Sequence, residues 1–246
     1  MKRAIVFIAM VFFAGGLYAG MADISVSSGY LFGSMDDMNN FMEDVGENVT
    51  GAADTETNLD KSAGGFFING DISVLLSDEI MIIARGGYYK PGQAQVEVLN
   101  DTYGNTTTTL DFTMAPVMAG LGYKYKLMGT PIILTTKALA GYSFAYSEIK
   151  NKTWDEATEE VETGDLSGGG FAADFEVGVS FEFSENFRLG AAGGYRVANV
   201  PELTANNEIN WLGIPEGGDL SDAFTGTVVE FDLSGFTAAL EATIMF

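Results

Sequence analysis

Phe236-Thr-Ala-Ala-Leu-Glu-Ala-Thr-Ile-Met-Phe246 closes the chain, and its reading decides the fold. In an extended strand, successive side chains point to opposite faces. Phe236, Ala238, Leu240, Ala242, Ile244 and Phe246 therefore share one apolar face, and Thr237, Ala239, Glu241, Thr243 and Met245 share the other. The alternation runs to an aromatic final residue, where a chain end would ordinarily fray.

Seven stretches upstream alternate in the same way. The clearest sets Phe171, Ala173, Phe175, Val177, Val179, Phe181 and Phe183 against Ala172, Asp174, Glu176, Gly178, Ser180 and Glu182. The others are expected near 23–33, 66–76, 80–88, 110–125, 132–146 and 187–197, with the last strand beginning near Val228. In the stretch near 110–125 the apolar parity changes at Pro116, and Ser234-Gly235 interrupts the last strand; a β-bulge is expected at each. Short turns at Ser77-Asp78-Glu79, Met128-Gly129-Thr130 and Ser184-Glu185-Asn186 alternate with long segments at 35–64, 91–107, 148–168 and 199–227. All four are expected to be loops, the first and third of them acidic. Val96 and Val98 are placed to extend the strands that flank the second.

Composition removes whole classes of chemistry. A net charge of −22 leaves no basic patch for nucleic acid. With no cysteine there is neither a disulfide nor a thiolate metal site, and with no histidine the usual neutral-pH general base is missing. Lys2 and Arg3 precede an apolar run from Ala4 to about Phe13 and then small residues, which predicts a secretory signal over 1–22, cleaved after Ala19 or Ala22. Residues 23–246 then form one domain. No other stretch could cross a bilayer as a helix, so a membrane-embedded product must be a closed barrel.

An alternating strand ending in Phe246 resembles the C-terminal strand of bacterial outer-membrane β-barrels. That resemblance implies that Phe246 and Ile244 are an assembly signal read by the barrel-assembly machinery. Across the mature chain the pattern resembles the small eight-stranded barrels, the OmpA transmembrane-domain and OmpX class. The expected fold is an all-β, eight-stranded antiparallel up-and-down transmembrane β-barrel with short periplasmic turns and long extracellular loops. Outer-membrane lipid and lipopolysaccharide are its expected surroundings. The soluble alternative is a lipocalin-like barrel, apolar inside and polar outside. Small residues on the polar face and aromatics near strand ends favour the membrane.

Polar-face charges alternate in sign between neighbouring strands. In a hairpin, opposed residues are equidistant from the turn centre. A turn centred on Asp78 sets Asp71 opposite Arg85, and one centred on Glu185 sets Glu182 opposite Arg188 and Asp174 opposite Arg196. These are expected as lumen ion pairs, with Glu182–Arg188 near the periplasmic mouth, Asp71–Arg85 at mid-membrane and Asp174–Arg196 near the outer mouth. The same register sets Phe183 opposite Phe187 and Phe175 opposite Tyr195 on the lipid face. No comparable acid opposes Lys137 in its hairpin. Asp174 and Glu176 have a spacing that suits glycoside chemistry, but a narrow lumen offers no substrate cleft.

No catalytic residue, cofactor or metal ligand is expected. The function expected is a structural or surface-interaction (adhesin-like) role through acidic extracellular loops. The alternative is a small passive channel or a conduit for small or apolar solutes. The loop acids are either solvated repulsive surface or chelators of divalent cations bridging to lipopolysaccharide phosphates. Trp154 and Trp211 are either binding anchors for a surface ligand or rim contacts.

Overall fold

A computed structural model of the chain describes residues 22–33, 35–49, 56–99, 105–154, 159–220 and 228–246. The signal over 1–22 lies, but for Ala22, outside them. Eight strands form the wall: β1 (Ala22–Phe32), β2 (Gly65–Leu75), β3 (Ile80–Pro91), β4 (Asn105–Lys126), β5 (Ile132–Trp154), β6 (Glu159–Ser184), β7 (Phe187–Val200) and β8 (Gly235–Met245). Each pairs antiparallel with the next, and β8 returns to β1 with Ile244 opposite Ile24. The sheet is therefore closed, leaving no free edge in the barrel.

Side-chain direction shows which face meets lipid. Phe175, Val179, Phe236 and Leu240 point outward and are 50–73% exposed, whereas Asp71, Arg85, Asp174 and Arg196 point inward and are at most 4% exposed. Such an inside-out polarity is stable only where the surroundings are apolar. Strands of 11 residues, such as β1, β2 and β8, are just long enough to cross a bilayer at the usual tilt.

The neighbouring β4, β5 and β6 are much longer, at 22, 23 and 26 residues. At about 3.3 Å per residue their upper halves rise tens of ångströms beyond the bilayer. The pairing is unbroken over this length, from Tyr125 opposite Leu134 up to Asn105 opposite Trp154. Inward and outward parity also continues, but the chemistry on the two faces exchanges. On β4 the outward residues pass from Leu121, Ala119 and Val117 to Thr113, Asp111 and Thr109, while Met114, Phe112 and Leu110 turn inward and are buried. On β5 the outward Tyr142 and Tyr146 give way to Glu148 and Lys150, and Ala145 and Ile149 are buried inside. Above the bilayer the barrel thus becomes an ordinary water-facing β structure, here termed the head.

This exchange corrects the bulge expected at Pro116. The β3–β4 register is the same at Gly86–Val117 and Tyr89–Met114. The two intervening pairs are absent because proline has no N–H to donate, and the apolar parity changes because the environment does. Nor is there a register shift at Ser234-Gly235. Phe231–Asp232 and β8 meet β7 in one register, and the Ser234 hydroxyl accepts the Ala198 N–H at 3.1 Å. The register shift that does occur lies between Glu182 and Ser184, which sets Ser184 opposite Phe187; the Phe183 and Phe187 rings still approach to 6.3 Å.

Where they are described, the long segments carry regular structure too. Within 35–64 a helix, α1 (Asp36–Val49), and a short strand (Glu56–Asp60) replace the expected loop. Asp36 and Asp37 suit the positive end of the helix dipole. Met38, Phe41, Met42 and Val45 recur at helical spacing and are buried. Glu56–Asp60 pairs with the strand Ala94–Leu99, which pairs in turn with the upper part of β4 and turns Val96 and Val98 into the core. The third segment is mostly strand, since β5 runs to Trp154 and β6 starts at Glu159.

Candidate functional site

Beside a small apolar cluster of Met81, Ile83, Met118 and Leu139, two layers fill the interior. The lower one is ionic. Arg85 on β3 binds Asp71 on β2 with Nε to Oδ1 at 2.6 Å and Nη2 to Oδ2 at 2.8 Å. Its Nη1 reaches across the lumen to Asp174 Oδ2 at 2.8 Å and Glu176 Oε1 at 2.5 Å, both on β6. Asp174 also accepts from Arg196 Nε and Nη2 on β7, each at 2.7 Å. Lys137 on β5 donates to Asp71 at 2.9 Å and to Glu241 on β8. Asp174–Arg196 therefore lies in the same layer as Asp71–Arg85, not near the outer mouth. Lys137, which has no acid opposite it in the β4–β5 hairpin, faces Glu176 on β6 in register at 3.9 Å and reaches Asp71 and Glu241 across the lumen.

Four carboxylates and three cations thus form one cross-braced plug. The guanidinium of Arg196 also sits over the Phe67 ring at 5.1 Å. Fork-shaped guanidinium–carboxylate contacts are strong and directional, which suits a layer that must hold facing walls at a set distance.

The pair expected near the periplasmic mouth is rearranged. Glu182 and Arg188 face each other in register, but no ion pair joins them. Arg188 Nη2 turns to Asp23 Oδ2 on β1 at 2.9 Å, while Glu182 takes Lys126 Nζ at 2.6 Å. Arg188 points into the closed barrel and meets the strand beyond β8; Glu182 lies at the rim, where the β4–β5 turn brings in a lysine. Ile244 and Phe246 face outward on the closing strand, and the Phe246 N–H donates to the Ala22 carbonyl at 2.9 Å.

The upper layer is apolar. Phe112, Leu110 and Ile149 from the long strands, Val96 and Val98, and the α1 side chains form one core with Leu203, Ile209 and Phe231. Phe231 centres the aromatic contacts, 5.5 Å from Phe112 and 6.3 Å from Phe41. Asn39 anchors α1 by donating to the Ser62 carbonyl and accepting the Ser62 N–H, both at 2.9 Å. Trp211 packs against this core, and Trp154 at the end of β5 lies under the Lys152 ammonium at 5.7 Å.

The acids of the head stand outside the core. Asp111, Glu148 and Asp165 are adjacent across β4, β5 and β6. Lys90 binds Asp111 at 2.7 Å, and Lys150 binds Glu148 at 2.5 Å, which pushes the Lys150 ammonium above its ordinary range. Glu202 is held above the usual carboxylate range by its hydrogen bond with Asp219. Among the described residues, no three acids are placed to hold a metal ion.

A closed eight-stranded up-and-down sheet with charge inside and an apolar belt outside defines the class: the chain is a small eight-stranded transmembrane β-barrel. No protein-family model matches it, and no curated protein matches it. Among solved structures it is similar to neisserial surface protein A, at 11% identity, 93% of this chain, 98% of that one and a TM-score of 0.39. It is also similar to Ail, the attachment invasion locus protein of Yersinia pestis, at 12% identity, 92% and 99% coverage and a TM-score of 0.37. A third is the outer membrane protein OprG from Pseudomonas aeruginosa, at 12% identity, 92% and 96% coverage and a TM-score of 0.43. Likenesses this loose add no weight, so the class rests on the closed sheet and its inverted polarity.

Proposed function

We propose that the protein is a surface-interaction barrel: a membrane stem that holds a folded, acidic head outside the cell, with neither a transport path nor an enzymatic role. The supporting observation is that the interior is filled twice, by the ion-paired layer around Arg85 and by the apolar core around Phe231 and α1. A passive pore needs a continuous wet passage, and a lumen this narrow has room only for side chains. Rigid scaffolds commonly carry binding on the segments they display, and here those segments are strands and a helix. The head's acids favour basic partners, or partners bridged through divalent cations. Phe246 and Ile244, on the lipid face of the closing strand, would serve the barrel-assembly machinery, and the belt would lie in outer-membrane lipid beside lipopolysaccharide.

Planar-bilayer recording and whole-cell binding test this reading together. Refolded protein is expected to give no discrete conductance steps. Cells displaying the full barrel are expected to bind target surfaces in a salt-sensitive way, and a variant trimmed to the membrane-spanning strands is expected not to. Discrete steps from the wild-type protein, or unchanged binding after trimming, overturn it.

A further inference from the structure

We infer that the periplasmic mouth of the lumen is a binding site for a single carboxylate group, built from Arg188 and Lys124. Arg188 is 5% exposed, yet only its Nη2 is engaged, with Asp23. Among the described residues, its Nε and Nη1 have no hydrogen-bond partner. Buried guanidinium N–H groups are ordinarily satisfied, so such a pair calls for an acceptor. Lys124 Nζ turns toward the same Asp23 Oδ2 from 3.6 Å. Two cations thus share one carboxylate.

Three further acids line the same cavity. Glu182 is taken by Lys126. Glu79 accepts from the Tyr123 hydroxyl at 3.0 Å, and Asp78 is exposed on the turn. Glu241, above, is held by Lys137. Arg188 and Lys124 line a cavity of about 500 Å³, with Ile133 and Met245 as apolar walls. The ion-paired plug fills the lumen farther in, so the cavity is a blind cup rather than the start of a passage. Its volume suits a small acid or the last residues of a peptide, and charge-assisted N–H···O⁻ bonds are the chemistry that Arg188 has to spare. The occupant must carry a free carboxylate and reach the mouth from the periplasm.

NMR of the refolded barrel, following the Arg188 Nε–H signal, tests this. Acetate, N-acetyl-alanyl-alanine, its C-terminal amide and sodium chloride are titrated at matched ionic strength. A saturable shift is expected with acetate or the acid peptide and none with the amide or chloride; tighter binding of the peptide than of acetate identifies a peptide terminus as the source. Lys124→Gln, which keeps Arg188 and its Asp23 contact, is expected to weaken binding several-fold. Lys90→Gln, on the outside of the head, is expected to leave it unchanged. Migration of the unheated protein on gels confirms that each variant is folded. No saturable shift, an equal response to the amide or chloride, or unchanged binding by folded Lys124→Gln overturns the inference.

Discussion

Removing the Arg85 side chain is the sharpest test of the ionic layer. Arg85→Ala deletes five hydrogen bonds to Asp71, Asp174 and Glu176 in a space where these groups are at most 7% exposed. The layer holds four acids (Asp71, Asp174, Glu176 and Glu241) against Arg85, Lys137 and Arg196, a sum of −1. Without Arg85 it becomes −2, with only Lys137 and Arg196 left to serve four carboxylates. Breaking a buried pair from one side costs about 3–5 kcal/mol, because the surviving charges remain desolvated. Asp71→Ala/Arg85→Ala returns the sum to −1, so the double variant is expected to cost about 2 kcal/mol less than the two singles added together. Urea unfolding in lipid vesicles, followed by circular dichroism and by gel migration of unheated samples, gives all three values. Additivity within about 0.5 kcal/mol would refute the argument.

Three further outcomes follow from the same geometry. Arg188 is expected to couple to Asp23 and not to Glu182: a double-variant cycle on Asp23 and Arg188 should show at least about 1 kcal/mol of interaction, and one on Glu182 and Arg188 close to none. Met42→Ala removes a fully buried side chain from the head core, so the head should lose about 2–5 kcal/mol. Protease should then cut the head of folded protein faster while the membrane barrel keeps its gel migration. Because the chain has no cysteine, single cysteines can report which surface meets water. Val161→Cys should react on whole cells with a membrane-impermeant thiol reagent, whereas Leu121→Cys, about equally free of protein contact, should be shielded by lipid.

What could be read from the residues alone was set by how local the determining physics is. A hairpin register follows from its turn, so Asp71 opposite Arg85 and Asp174 opposite Arg196 needed only the positions of Asp78 and Glu185. The contacts of Arg85 with Glu176, and of Lys137 with Asp71 and Glu241, depend on how the closed sheet is staggered, which no single hairpin specifies. The upper ends of β5 and β6 fall in a segment expected to be a loop, because a search for an outward apolar face stops where water begins. Thr109, Asp111, Glu148 and Lys150 continue the parity with the polarity exchanged. A signal for α1 was present in Met35, Met38, Phe41, Met42 and Val45, whose spacing is helical, but the surrounding acids suggested a solvated segment.

The unbroken ladders of β4, β5 and β6 have a mechanical consequence. Where a barrel ends in slack loops, a pull on them first straightens the slack. Here a load applied near Trp154 passes along backbone paired continuously with its neighbours down to Leu134 and Tyr125, so many hydrogen bonds share it in shear instead of opening one by one. Pulled from its tip, the molecule should behave as a stiff strut anchored in the cell wall's outer skin, not as a tether.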